Sequence, residues 1–154
     1  MEPKRKMSTG FRKLDIDQYG EDVFREDEMN SLEPQSPVGV DEQEVRRLLQ
    51  SGKKAEALRS ILSSAPISTK NQQAKDRAAD LMMQVFMAFK SSEIDPALEK
   101  LDPDLVDILM KYIYRGFESP TDGSSAHLLV WHEKVFAAGG VGSIVRVLTD
   151  KKRV

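Results

Sequence analysis

A chain of 154 residues is long enough for one domain of ordinary size and too short to hold two comfortably. Its formal net charge of -2 and pI of about 5.8 provide no basic field for a phosphate backbone, which argues against nucleic acid as the main partner. The absence of cysteine removes disulfides, thiolate nucleophiles and thiolate metal ligands, and suits a reducing cytosol or nucleus.

MEPKRKMSTGFRKLDID lacks an apolar h-region and no run of about eighteen apolar residues occurs, so neither a signal peptide nor a membrane span is expected. Residues 1–40 form a segment apart. Lys4, Arg5, Lys6, Arg12 and Lys13 come first, followed by the acids Glu21, Asp22, Glu26, Asp27, Glu28 and Glu33, then Pro34, Pro37 and Gly39. So few apolar residues cannot offset the entropy of ordering, and a disordered or extended tail is expected in isolation. Phe11, Leu14, Ile16, Tyr19 and Phe24 nonetheless punctuate it. An extended FRKLDID places Leu14 and Ile16 on one side and Lys13, Asp15 and Asp17 on the other, a pattern suited to a peptide that orders on a partner. An inert charged tail with scattered aromatics is the plainer alternative.

The helical body is expected over 41–154. DEQEVRRLLQSG opens it, with acids in the first turn, Val45, Leu48 and Leu49 on one face and Gly52 at the end. KKAEALRSILSSAP follows with Ala55, Leu58, Ile61 and Leu62 inward and Pro66 as the stop, predicting a short antiparallel pair. The longest helix is predicted from Thr69 to Lys90, with Gln73, Arg77, Asp80 and Gln84 as its polar stripe. SSEIDPALEKLDPDL supplies two start signals: Ser92 with Asp95 as a capping box, and Asp102 before Pro103.

The next helix carries Asp104, Asp107, Lys111 and Arg115 in one narrow stripe and apolar residues almost everywhere else. It is therefore predicted to be central in the core or covered by a second protein. After ESPTDGSS, where Asp122, Ser124 or Ser125 can cap, a helix is expected from Ala126 to Ala138 with Leu128, Leu129, Trp131, Val135 and Phe136. Gly139 and Gly140 end it. A last helix, Val141 to Thr149, follows after almost no loop and must pack beside it. No alternating run bounded by turns competes, so the fold class is all-α.

Catalytic constellations are absent from this pattern. His127 and His132 are separated by five residues, about 140° around a helix, and no third ligand accompanies them, so they are expected to be partly exposed helix residues. Asp104 and Asp107 could pair for acid-base work, but Lys111 lies four residues beyond Asp107, which favours a solvated stripe of helix salt bridges. Gly139, Gly140 and Gly142 lack the spacing and preceding strand of a phosphate cradle and predict a tight turn. Met82, Met83 and Met87 are expected to fill the core, and Lys151, Lys152 and Arg153 to form a solvated basic end. Neither a metal nor a cofactor is implied, and no nucleophile, base and orienting group assemble, so an enzyme is not expected.

FAAGGVGSIVRVLTD resembles an armadillo repeat, in which helix pairs stack and outer helices offer a broad surface. Read in order, FRKLDID, ISTKNQQAKDRA, FKSSEID, LMKYIYRGFESPTD and WHEKVFAAGGVGSIVRVLTD are similar to the smallest-subunit family of the actin-related protein 2/3 complex. The resemblance implies armadillo-like stacked helices and a non-catalytic structural subunit of an assembly that nucleates branched actin filaments. It implies docking of the body on scaffold subunits, including a paired core subunit and the WD-repeat propeller subunit, and an N-terminal tether to an actin-related subunit. Carried onto this chain, the tether comprises Phe11, Arg12, Leu14, Asp15, Ile16, Asp17, Tyr19 and Phe24. The implied location is the cytoplasm and cytoskeleton, with cell projections and the nucleus. From Phe11 to Asp41 the chain can reach roughly 30 Å as a coil and about 100 Å when stretched, so a docked body keeps the tail concentrated near its target. MEPKRKM, DKKRV and the stretch between Phe24 and Asp41 match the family pattern poorly. A free armadillo-like adaptor for short peptides is the alternative from periodicity alone.

Overall fold

The computed structural model describes residues 39–154; the tail positions Phe11, Arg12, Leu14, Asp15, Ile16, Asp17, Tyr19 and Phe24 lie outside the described residues. Six helices follow in order: α1 Glu42–Gln50, α2 Lys54–Ser63, α3 Gln72–Ala88, α4 Ser91–Leu98, α5 Pro103–Glu118 and α6 Ser124–Thr149. There is no strand among the described residues, so the all-α expectation stands.

Local chemistry sets the helix ends. Asp41 Oδ1 accepts from the amides of Gln43 at 3.0 Å and Glu44 at 3.1 Å, satisfying two donors that the first turn leaves open. Asn71 caps α3 by accepting from the Ala74 amide at 3.3 Å, which is why this helix starts after the predicted Thr69. The expected box of Ser92 and Asp95 is displaced by two residues. Glu93 is the acid that reaches back, accepting from the Lys90 amide at 2.8 Å, because α4 begins at Ser91. Pro103 occupies the first turn of α5 as expected, but Asp102 makes no side-chain cap bond. Ser124 turns backward, donating to the Thr121 carbonyl at 2.8 Å and accepting from its amide at 2.9 Å, and so closes the loop before α6.

The predicted pair of terminal helices is one 26-residue element bent at Gly140, where φ is 68° and ψ is -171°. That conformation is essentially restricted to glycine, so the corner lies where the Gly139-Gly140 pair placed it. By length and composition alone α6 could cross a membrane. Its bend and the burial of Leu128, Trp131 and Val135 show instead a helix packed into the body.

The core gathers around α5. Val106, Leu109, Met110, Tyr112 and Ile113 are buried, and meet Leu58, Ile61 and Leu62 of α2 and Leu81, Met82, Val85 and Phe86 of α3 in one hydrophobic cluster. The α3 polar stripe Gln73, Arg77, Asp80 and Gln84 faces solvent as its spacing predicted. Gly116 lets α5 and α6 approach: a Cβ there would lie 2.8 Å from Cδ1 of Leu128. Trp131 fills the centre, with its ring 5.0 Å from Phe86 and 5.2 Å from Phe89.

The α3 C-terminus is finished by α6. Phe86 lies in the last turn of α3, where main-chain oxygens lack helical partners. Its carbonyl accepts from Trp131 Nε1 at 3.2 Å, and His127 Nε2 lies 2.7 Å from the same oxygen. His127 therefore donates from Nε2, and its useful partner along the helix is Trp131, four residues on, rather than His132.

Candidate protein interface

The charged stripe of α5 is not a solvated face carrying its own salt bridges. It is a seam to the end of the chain. Arg146 grips Asp107 with two bonds, Nε to Oδ2 at 2.6 Å and the second guanidinium nitrogen to Oδ1 at 2.9 Å. Lys111, only 9% exposed, donates to Asp150 Oδ2 at 2.6 Å and to the main-chain oxygen of Lys152 at 2.8 Å. Arg115 donates to the main-chain oxygen of Val154 at 2.8 Å and pairs with Asp76 of α3. The expected Asp107-Lys111 pair does not form, because each residue has a better-placed partner across the packing interface.

The basic end is solvated as expected, but it is not loose. Lys151, Lys152 and Arg153 are exposed, but their backbone is strapped down: Lys75 Nζ donates to the Arg153 carbonyl at 2.8 Å, and Val154 is buried. The charges respond accordingly. The Lys111 ammonium, helped by the Lys152 amide, holds the Asp150 carboxyl below its ordinary range, and Asp107 raises Arg146, with Asp104 adding to the same field. Asp76 is lowered, first by Gln72 and also by Arg115. Asp107 is thus engaged by the Arg146 guanidinium, while Asp104 is exposed and adds only its charge nearby.

The remaining sequence candidates have structural roles. His127 and His132 are half-buried; Nε2 of His132 lies 3.2 Å from the Tyr114 hydroxyl, and its ring stacks on Phe136. No cluster of three or more metal-ligating side chains exists among the described residues. The three methionines divide, with Met82 fully buried, Met83 packed at the core edge and Met87 exposed, so the core expectation fails for Met87. Burial drives the Tyr112 phenol upward, and its hydroxyl has no hydrogen-bond partner.

What remains without cover is apolar. Of the two predicted fates for α5, central burial is observed, so it offers no sticky surface of its own. Apart from Met87 of α3, the exposed large apolar side chains among the described residues belong to α6: Leu129 at 60%, Phe136, Val141 at 64%, Val145 at 47% and Leu148 at 74%. Beyond the corner, Ile144 and Val147 pack against the core while Val141, Val145 and Leu148 fall at a spacing of four and three on the adjoining, outward side. Sequence periodicity alone marked all five as apolar without separating inward from outward. An exposed apolar stripe of this kind is the surface feature best suited to protein contact.

The chain matches the family model of the ARP2/3 complex 16 kDa subunit (p16-Arc) over residues 10–154. The match takes in the DKKRV end and the stretch between Phe24 and Asp41, where the short motifs do not extend. Among curated proteins, the chain is 50% identical over 151 residues to actin-related protein 2/3 complex subunit 5-B of Xenopus laevis, covering 98% of this chain and 99% of that protein. It is 47% identical over 148 residues to the subunit 5-like protein of Homo sapiens, covering 96% of this chain and 97% of that one. A probable subunit 5 of Caenorhabditis elegans is 35% identical over 142 residues, covering 91% and 97%.

Proposed function

The chain belongs to the family of the ARP2/3 complex 16 kDa subunit, and on that premise we propose that it is a non-catalytic structural subunit of that complex. The helices act as an armadillo-like body that docks on a scaffold core subunit and on the WD-repeat propeller subunit. The tail over 1–40 tethers an actin-related subunit through Phe11, Arg12, Leu14, Asp15, Ile16, Asp17, Tyr19 and Phe24. The chain thereby supports nucleation of branched actin filaments in the cytoplasm and cytoskeleton.

The observation that carries this reading is the continuity of the match, which runs from residue 10 through FRKLDID and the whole helical body without a break in the range. Physical chemistry supports a division of labour: the body presents a preformed surface, while a peptide that orders on binding gains from the high local concentration its attachment provides. Gel filtration of native extract, followed by detection of this chain, tests the assignment. Elution with a large assembly containing the other subunits agrees with it; elution chiefly as a species of the chain's own mass contradicts it.

A further inference from the structure

We infer that the body docks through the outer side of α6 beyond the Gly140 corner, and that the partner element seated there is an amphipathic helix with an acidic flank. This rests on the subunit reading above and specifies the surface it leaves open.

Val141, Val145 and Leu148 form a ridge of exposed apolar side chains at helical spacing, while Ile144 and Val147, on the adjoining side, hold that helix against the core. A ridge with this spacing packs best between the rows of another helix, whose own apolar side chains repeat every three or four residues. The ridge runs into a cavity of about 520 Å³ where Leu148 lies among Lys75, Tyr114, Lys151, Lys152 and Arg153.

Charge selects the flank. Lys75, Lys151, Lys152 and Arg153 make no side-chain ion pair among the described residues, and Glu118 is the one side-chain carboxylate in the cavity wall. Lys111 and Arg115, behind them, are already engaged by Asp150 and Asp76. A basic or neutral helix would leave these cations without a partner carboxylate beside a newly desolvated apolar ridge, Lys75 meeting only the Arg153 carbonyl and Lys152 only the field of Asp150, whereas Asp and Glu side chains would meet them at the rim. The strap that fixes residues 150–154 to α3 and α5 holds these cations beside the ridge, so the surface is formed before the partner arrives.

The test uses the full chain co-expressed with the other subunits of the complex. Val145→Glu/Leu148→Glu is expected to lower incorporation at least tenfold with the thermal transition of the isolated chain unchanged, since both side chains are exposed. Lys151→Glu/Lys152→Glu is expected to lower it at least fivefold, with a steeper loss at low salt than at high salt. Zero-length carbodiimide cross-linking of the unaltered complex should join Lys151 or Lys152 to a partner carboxylate. Incorporation of both variants at the unaltered level, or cross-links confined to other faces of the body, overturns this docking surface while leaving complex membership intact. Failure of the unaltered chain to enter the complex overturns both.

Discussion

Lys111 and Asp150 lie 39 residues apart in sequence and 2.6 Å apart in space, and the same separation joins Asp107 to Arg146 and Arg115 to Val154. A constant offset repeated at steps of four means that α5 and the end of the chain run side by side in the same direction, in one fixed register. The stripe on α5 is therefore a zipper for the last turns of α6 and for the strap beyond it.

Lys111→Ala removes the central tooth. The ammonium is 9% exposed and makes two bonds, so its loss leaves the Lys152 carbonyl without its donor. The expected cost is about 1.5 to 3 kcal/mol, the range for hydrogen bonds to charged groups. Lys111→Met should cost less, because its unbranched stem keeps the packing. Urea unfolding followed by circular dichroism separates the two; equal stability of both variants with the unaltered chain would mean the zipper contributes nothing.

The pH dependence has a defined sign. Asp150, Asp76 and Glu93 have carboxyl pKa values lowered in the folded chain, by Lys111, by Gln72 and by Lys54 in turn. A depressed folded value means that the unfolded chain takes up protons first. The stability these groups contribute is present above the ordinary carboxylate pKa of about 4 and is lost as pH falls through the lower folded values. Thermal midpoints should be nearly level from neutrality to about pH 5 and fall below about pH 4, with a shallower fall in Asp150→Asn. A midpoint that rises on acidification to pH 3 contradicts the assignment.

Gly140→Ala should destabilise by about 1 to 3 kcal/mol, because a Cβ is strained at φ 68° and ψ -171° even though nothing stands in its way. Gly142→Ala is the contrast. Its backbone is helical and its Cβ would meet only the guanidinium of Arg146, at 3.0 Å, which must give by a few tenths of an ångström against its bonds to Asp107, a smaller disturbance than a strained backbone. Chemical denaturation of the pair should show the first well below the second, and the reverse order would place the bend elsewhere.

Trp131 and His127 share the Phe86 carbonyl, so their losses should not add. Trp131→Phe or His127→Ala alone leaves the oxygen one partner, at about 1 to 2 kcal/mol each beyond packing changes. Together they leave it with none in a buried site, and a double-mutant cycle should show an excess of about 0.5 to 3 kcal/mol. Strict additivity would show that the oxygen finds another donor.

Much of the body was legible because helical periodicity and capping chemistry are local. Asp41, Pro103, the polar face of α3 and the Gly139-Gly140 corner all follow from neighbours within a few residues. The zipper was not legible for the same reason: Lys111 has a carboxylate four residues earlier, and only the fold reveals that Asp150 is better placed. Inward and outward sides of the last helix were also hidden, since five apolar residues among nine leave its orientation undetermined until α5 takes one side. The tether residues from Phe11 to Phe24 rest on motif similarity and not on any packing argument.

The most direct test of a docked body with a tethering arm is the variant Phe11→Ala/Leu14→Ala/Ile16→Ala in purified complex. Each anchor contributes about 1 to 2 kcal/mol to a small interface. The body should be incorporated at the normal level, while retention of the actin-related subunit and the rate of branch nucleation both fall. Normal partner retention with unchanged nucleation, or loss of the body itself from the complex, would contradict that division of roles.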